Sequence, residues 1–340
     1  MMRTVGILLT VLFAIAAAVL TWPSFFRVAQ VFPLTQVVAF RTPLALAFGI
    51  VGLVLLLFAF ARPLRAVALS MALIAIVAAA ANGALILSRG LGTSELPAET
   101  DSSVRVMTWN TAGEPTDAAA IAQTAVAMGA EIVALPETAI ETGEQVAVSM
   151  RELGSPMWVH HVEFGTDEGD ARTTTLLITP DLGDYAVIES SQDGSSNTGV
   201  LPSAVAMPVD GDGPIVVAVH AVAPREDYMQ RWRDDLSWLA DQCADENVIM
   251  AGDFNATLDH MSHLGVDGGI LGRCSDAAAN SGNGSVGTWP TAVPALLGAP
   301  IDHVMYSTGW EVTGSIVLRS LDGSGSSDHR PLVAQFEPVE

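Results

Sequence analysis

The first 94 residues of this 340-residue chain contain neither aspartate nor glutamate, and they hold three long apolar runs, at about 4–22, 43–61 and 66–87. A helix of about 20 apolar residues crosses a hydrocarbon core of about 30 Å, so each run is long enough to span a bilayer. Helices apolar on all sides have no polar face with which to coat a water-soluble domain. A cleavable signal peptide is the other reading of the first run. Two further runs and the lack of a clear polar cleavage region favour a span instead. The expectation is a three-helix membrane anchor over 1–90, with the lipid bilayer as its partner. Asn82 and Gly83, inside the third run, are placed to face a neighbouring helix. Residues 31–41 are amphipathic enough to lie at the membrane interface.

Three spans put the amino terminus and the rest of the chain on opposite sides. Arg3, Arg62 and Arg65 fall on one side and Arg27, Arg41 and Arg89 on the other, so counting alone decides little. The tight Arg62-Pro63-Leu64-Arg65 turn favours the cytoplasm, which places the remainder of this multi-pass cell-membrane protein outside. That remainder carries all 37 acids against nine arginines, a formal charge of −28, and the chain has no lysine. Such acidity keeps a domain soluble. It argues against tight, sequence-independent grip on DNA, which needs basic phosphate contacts. It does not oppose a small phosphoester held by a metal ion.

Residues 91–103 are rich in Gly, Thr, Ser, Pro and acid, and read as a short tether rather than a packed element. Residues 104–340 form the soluble domain. Apolar runs predict strands at 104–109, 131–135, 158–163, 173–179, 185–190, 203–208, 215–219, 248–257, 301–306, 310–317 and 332–336. Helical spacing predicts helices at 116–128, 143–153 and 228–244, and the small polar residues of 277–288 predict a loop. Many strands with few helices argue for α+β layers rather than a doubly wound sheet.

Within this domain Val248-Ile249-Met250-Ala251 reads as a buried strand that runs into Gly252-Asp253-Phe254-Asn255. In extended chain, residues two apart project to the same side, which brings Asp253 and Asn255 together at a strand end. Other polar residues recur where strands end: Asn110, Glu137, His220, Asp302 and the pair Asp328-His329. Each has an ordinary explanation. Asn110 suits a turn, Glu137 a helix start after Pro136, and His220 a satisfied buried histidine. Asp302 suits an ion pair with an arginine, and 327–329 a plain loop.

Together, these segments resemble the endonuclease/exonuclease/phosphatase superfamily. The matching stretches, in family order, are Met107-Thr108-Trp109-Asn110, Leu135-Pro136-Glu137-Thr138, Val219-His220-Ala221, Gly252-Asp253-Phe254-Asn255, Ile301-Asp302-His303-Val304 and Ser327-Asp328-His329-Arg330-Pro331. They cover about 104–338. Pro136 stands where the family usually has glutamine. The fold implied by the resemblance is an α+β four-layer sandwich, two packed mixed β-sheets flanked by helices. The resemblance also implies Glu137 and Asp328 as ligands of Mg²⁺, or of Mn²⁺, with Asn110 beside them. Oxygen donors of this kind suit a hard cation, which would act as Lewis acid and template. His329 becomes the base or a phosphate-contacting imidazole, paired with Asp302. Asp253 orients or deprotonates the attacking water, or protonates the leaving group. Asn255 donates hydrogen bonds to the phosphate. His220 matches the second histidine of the pancreatic-type deoxyribonucleases, which assists the leaving oxygen.

Arg225 either binds a phosphate or sits on the surface of the following helix. Trp289 either walls a substrate pocket or packs in the core. His160, His161, His260 and His263 read as surface residues, since no zinc-type ligand pattern accompanies them. Cys243 and Cys274 are expected to form a disulfide if the domain is exported, and to remain buried thiols if it is not. The expected function is metal-dependent phosphoester hydrolysis, a nuclease or phosphodiesterase acting on nucleic acid. A phosphodiesterase or phosphatase for lipid headgroups or cell-envelope phosphoesters is the enzymatic rival, and a non-catalytic binding domain on the same scaffold is the other. No protein partner is implied.

Overall fold

A computed structural model describes residues 2–339 except 94, 114–115, 166–171, 189–196, 212 and 320–326. The chain forms two compact units, residues 1–88 and 89–340. In the first, α1 (Met2–Thr21), α3 (Arg41–Phe58) and α4 (Arg65–Arg89) are long and apolar enough to cross a membrane. The short α2 (Leu34–Ala39) lies in the amphipathic stretch. Asn82 is fully buried and bonds across the unit. Its Nδ2 donates to Thr21 Oγ1 at 3.2 Å, and its Oδ1 accepts from Arg41 Nη1 at 2.6 Å. Arg41 also donates to the Thr21 carbonyl, so one buried polar cluster ties three helices where no acid is available.

The second unit contains two six-stranded sheets, a small pair of β9 (Leu264–Gly265) with β10 (Leu271–Gly272), and the short helix α8 (Leu258–Met261) after β8 (Val248–Asp253). The first has the order β13-β14-β1-β2-β4-β3, built from β1 (Val104–Thr108), β2 (Ile132–Pro136), β3 (Trp158–Glu163), β4 (Thr173–Ile178), β13 (Trp310–Val317) and β14 (Leu332–Pro338). The second has the order β11-β12-β8-β7-β6-β5, built from β5 (Tyr185–Val187), β6 (Ala204–Pro208), β7 (Ile215–His220), β8 (Val248–Asp253), β11 (Ser275–Asp276) and β12 (Asp302–Tyr306). Both are mixed, with β1–β2 and β7–β8 parallel and the other pairings of these sheets antiparallel. The predicted strand 185–190 extends past residue 188, outside the described residues.

Alternation along the strands builds the layers. Val106, Ile132, Ala134 and Leu176 of one sheet meet Val216, Ala218, Ile249 and Ala251 of the other in a shared core. Met107, Val133 and Leu177 face away, against Ile121 and Ala122 of α5 (Ala118–Ala127) and Val146 and Met150 of α6 (Ile140–Glu152). Val217, Val219 and Met250 pack against Trp232, Leu236 and Leu239 of α7 (Met229–Gln242). Strands buried on both faces explain why β2 and β8 read as continuous apolar runs rather than alternating ones. The four layers are the architecture the sequence implied. Cys243 and Cys274 are joined by a disulfide, with Cα atoms 5.5 Å apart, between the end of α7 and the segment after β8.

The linker at 91–103 is largely exposed and carries no helix or strand among its described residues, and hydrogen bonds hold it to the domain: Thr93 Oγ1 donates to Ser315 O at 2.6 Å, Arg105 Nη2 to Pro97 O at 2.7 Å, and Gln335 Nε2 to Ala98 O at 3.2 Å. Two expectations are corrected. The loop at 277–288 begins instead with α9 (Ala277–Asn280), because Asp276 Oδ1 caps it by accepting from Ala279 N at 2.6 Å. His260 is buried rather than on the surface. Its Nδ1 accepts from Thr257 N at 2.9 Å, and its ring meets Trp232 edge to face at 5.4 Å.

Candidate active site

Polar residues gather at the carboxyl ends of the parallel strands, where α/β sheets open a crevice. In the second sheet, register alone aligns three of them. His220 of β7 pairs with Asp253 of β8, and Asp253 with Asp302 of β12. β7 and β8 approach so closely at Gly252 that a Cβ there would strike the Val219 carbonyl oxygen. The first sheet supplies Asn110, just past β1, and Glu137, just past β2. Glu137 adopts a left-handed φ of 55°, a costly backbone for a non-glycine residue. It is held by Thr173 O, which accepts from Glu137 N at 3.0 Å, and by Thr111 Oγ1, which donates to Glu137 O at 2.9 Å.

Asn110 joins the sheets. Its Nδ2 donates to Glu137 Oε1 at 3.0 Å and to Asp253 Oδ2 at 3.1 Å, while its Oδ1 accepts from Ala112 N at 2.9 Å. Asp253 and Asn255 do come together, though not as extended chain. Asn255 has φ 47°, and its N–H turns back to Asp253 Oδ1 at 2.8 Å, an Asx turn. Asn255 Nδ2 donates to Ala221 O at 3.0 Å and to Asp253 Oδ2 at 3.2 Å.

His329 completes the cluster from the loop before β14. Its Nδ1 donates to Asp302 Oδ2 at 2.8 Å, and its Nε2 lies 3.9 Å from both Asp253 Oδ2 and Asp328 Oδ1. Trp109 Nε1 donates to the His329 carbonyl at 3.1 Å and fixes its backbone. His220 Nε2 stands 3.6 Å from Glu137 Oε1, beyond hydrogen-bond distance. Neither His220 nitrogen nor Asp302 Oδ1 meets a hydrogen-bond partner among the described residues, although all three atoms are buried.

This crowding sets the charges. Burial would raise Glu137, but the imidazole of His220, the Asn110 amide and His329 overcome it and lower its pKa to about 2. Burial and the Asp302 charge push Asp253 up to about 6, against the pull of His329 and His220. Burial would lower His329, but Asp302, Asp253 and Asp328 raise it to about 10. The site thus holds a fixed carboxylate, a carboxyl able to exchange its proton near neutrality, and an imidazolium.

The rim differs. Asp328 is about half exposed, its side chain 55 % accessible, and its Oδ2 accepts from Trp289 Nε1 at 2.7 Å. Arg225 is exposed at the start of the short turn before α7, and among the described residues no hydrogen bond or ion pair joins it to the cluster. Two further residues have no counterpart among the sequence-derived candidates. Buried Arg330 donates to the carbonyls of Pro290 and Thr291 at 3.0 and 3.1 Å, and so fixes the loop that carries Trp289. His303, next to Asp302, is buried against Asp276. A histidine inside an apolar strand signals a needed partner, but nothing in the sequence says which.

The donor set fits a divalent cation. Glu137 stays ionised and partly accessible, and Asp328 is accessible. One ligand atom each from Asp253, Asp302 and His329 also lies within 4.8 Å of the others, a second group able to hold an ion.

The model of the Endonuclease/Exonuclease/phosphatase family matches residues 107–329, and the chain belongs to that family. Its fold is shared with an endonuclease/exonuclease/phosphatase from Beutenbergia cavernae, at 18 % identity over 70 % of this chain and 72 % of that one, with a TM-score of 0.54. The Bacteroides vulgatus protein of the same description gives 17 % identity over 70 % and 100 %, with a TM-score of 0.54. D. rerio TDP2 complexed with a single-strand DNA product gives 17 % identity over 70 % and 100 %, with a TM-score of 0.50. No curated protein matches the chain. The carboxy-terminal unit is therefore a phosphoester hydrolase domain by family.

Proposed function

We propose that this chain is a membrane-anchored, Mg²⁺-dependent phosphodiesterase of the nuclease type, with its catalytic domain outside the cytoplasm. The observation that carries the proposal is the array Asp302–His329–Asp253 facing Glu137 across the junction of the two sheets. The three long apolar helices support anchoring. The Cys243–Cys274 pair supports an oxidising compartment, since disulfides persist there.

In this reading Glu137 and Asp328 hold Mg²⁺, which when bound polarises the phosphoryl group. Mn²⁺ suits the same oxygen donors. Asn110 aligns Glu137 with Asp253 through its amide hydrogens rather than ligating through Oδ1, which is engaged by Ala112. His329, kept protonated by Asp302, acts as a phosphate-contacting cation rather than as the base. Asp253 takes the proton of the attacking water, a role for which a pKa near 6 is suited at neutral pH. Asn255 orients Asp253 and donates toward the phosphate. His220, whose ring nitrogens meet no hydrogen-bond partner among the described residues, assists the leaving oxygen. Trp289 and Arg225 contact substrate at the rim.

A second reading, a lipid-headgroup or cell-envelope phosphodiesterase or phosphatase, is favoured by one observation: the second unit carries nine arginines, no lysine and a large acidic excess. Full-length protein assayed on plasmid DNA, bis-p-nitrophenyl phosphate and a phosphocholine lipid at two salt concentrations separates the two. DNA cleavage that falls steeply with salt supports the nuclease. Turnover of only the small or lipid esters, unaffected by salt, supports the second reading.

A further inference from the structure

We propose that the buried His303–Asp276 pair is a positioning device that locks the Asn255 turn in its working geometry. The inference rests on the reading of the site as a hydrolase and adds residues that lie outside the reacting centre. His303 is 2 % exposed and Asp276 1 %. Nδ1 of His303 lies 2.6 Å from Asp276 Oδ2, and Nε2 lies 2.8 Å from the Ala256 carbonyl. A carbonyl oxygen only accepts, so Nε2 carries a hydrogen. Asp276 Oδ2 engages Nδ1, so both ring nitrogens are committed. Its pKa is raised because Asp276 outweighs burial.

The consequence is mechanical. One ring joins three segments: β12, which carries Asp302; the turn after β8, which carries Asn255; and the β11–α9 junction. There Asp276 Oδ1 also caps α9, accepting from Ala279 N at 2.6 Å. Phe254 meets the His303 ring edge to face at 5.5 Å and restricts its rotation. The turn needs such a clamp. Asn255 sits at φ 47°, a conformation that costs a non-glycine residue of order 1–3 kcal/mol and persists only where the surroundings enforce it. One residue further on, Thr257 N is held by His260 Nδ1 at 2.9 Å, so the turn is pinned on both sides of Ala256–Thr257. Asp302 and His303 are successive strand residues and point to opposite faces, one to His329 and one to the clamp. Among the described residues, no hydrogen bond joins the pair to a site side chain. The pair acts through the Ala256 carbonyl on the Asn255–Asp253 hydrogen bond.

The test uses full-length protein in detergent, as wild type, His303→Phe, Asp276→Asn, Asn255→Ala and the double variant His303→Phe/Asn255→Ala. Phenylalanine keeps the ring packing against Phe254 and removes both ring nitrogens. Hydrolysis of bis-p-nitrophenyl phosphate with Mg²⁺ is followed as kcat and KM. The single variants are expected to lose about 10- to 100-fold in kcat, with KM held within about twofold. The double variant should lose no more than Asn255→Ala alone, since both changes release the same turn. In parallel, hydrogen exchange of peptides covering 253–261 should accelerate in His303→Phe, while peptides covering 215–222 keep their wild-type rates. If His303→Phe fails to fold, Asp276→Asn carries both readouts. Additive kcat losses, a rise in KM with kcat intact, or unchanged exchange in 253–261 would overturn the proposal. A wild type inactive on every ester would instead refute the hydrolase reading, and exchange would still decide the clamp.

Discussion

Asp302→Asn removes one negative charge from the back of His329 with almost no change of shape. In the wild type the 2.8 Å bond lies between buried groups, and Asp302 is the foremost of the three carboxylates that hold His329 near 10. Breaking a buried charge pair costs about 3–5 kcal/mol. At 1.36 kcal/mol per pK unit, that corresponds to a fall of about 2–4 units for His329. The imidazolium then deprotonates near neutrality, where burial takes over. The assay is kcat for bis-p-nitrophenyl phosphate across the neutral and alkaline range. The variant's alkaline limb should move down by about 2–4 units, and its neutral kcat should fall about 10- to 100-fold. Stability carries the same sign. A histidine whose folded pKa is raised contributes stability that is complete below its ordinary 6.5 and lost as pH rises through about 10. Wild-type melting temperature should therefore decline across that window, and the variant's should decline less. A folded Asp302→Asn enzyme with an unmoved alkaline limb would refute the reasoning.

The same geometry makes other expectations concrete. Reduction of Cys243–Cys274, or Cys243→Ala/Cys274→Ala, should cost about 2–5 kcal/mol in denaturant unfolding of the carboxy-terminal unit. Asn82→Leu removes a buried side-chain acceptor of Arg41 and should destabilise the helical unit by about 1–3 kcal/mol, read as a lower midpoint for its loss of helix on heating in detergent. Asp253→Asn and Glu137→Gln separate the two possible ion sites. Titration with Mn²⁺ should show binding lost in Glu137→Gln and kept in Asp253→Asn; the reverse would place the ion among Asp253, Asp302 and His329.

The elements legible in the sequence are those whose signal is local. The run into Asp253, the three apolar spans and the strand-end polar residues each depend on periodicity or on neighbours in the chain. What was not legible depends on partners far apart. His303 needs Asp276, 27 residues away, and Arg330 needs carbonyls about 40 residues earlier. Both look like ordinary polar residues until the fold brings their acceptors to them. The Asx turn at Asn255 was hidden for another reason. Two polar residues spaced by two fit an extended strand equally well, and only the left-handed φ shows that the chain leaves the sheet at Asp253. The hydrogen bonds that hold 91–103 to the domain were not legible either, because the same Thr and Ser that suit a tether also bond along a sheet edge.

The most direct measurement of the central claim is turnover of bis-p-nitrophenyl phosphate by the full-length protein with Mg²⁺ and with chelator, beside Glu137→Gln and His329→Ala. Hydrolysis that requires the metal and collapses in both variants is the predicted result. Hydrolysis that survives chelation and Glu137→Gln would contradict it.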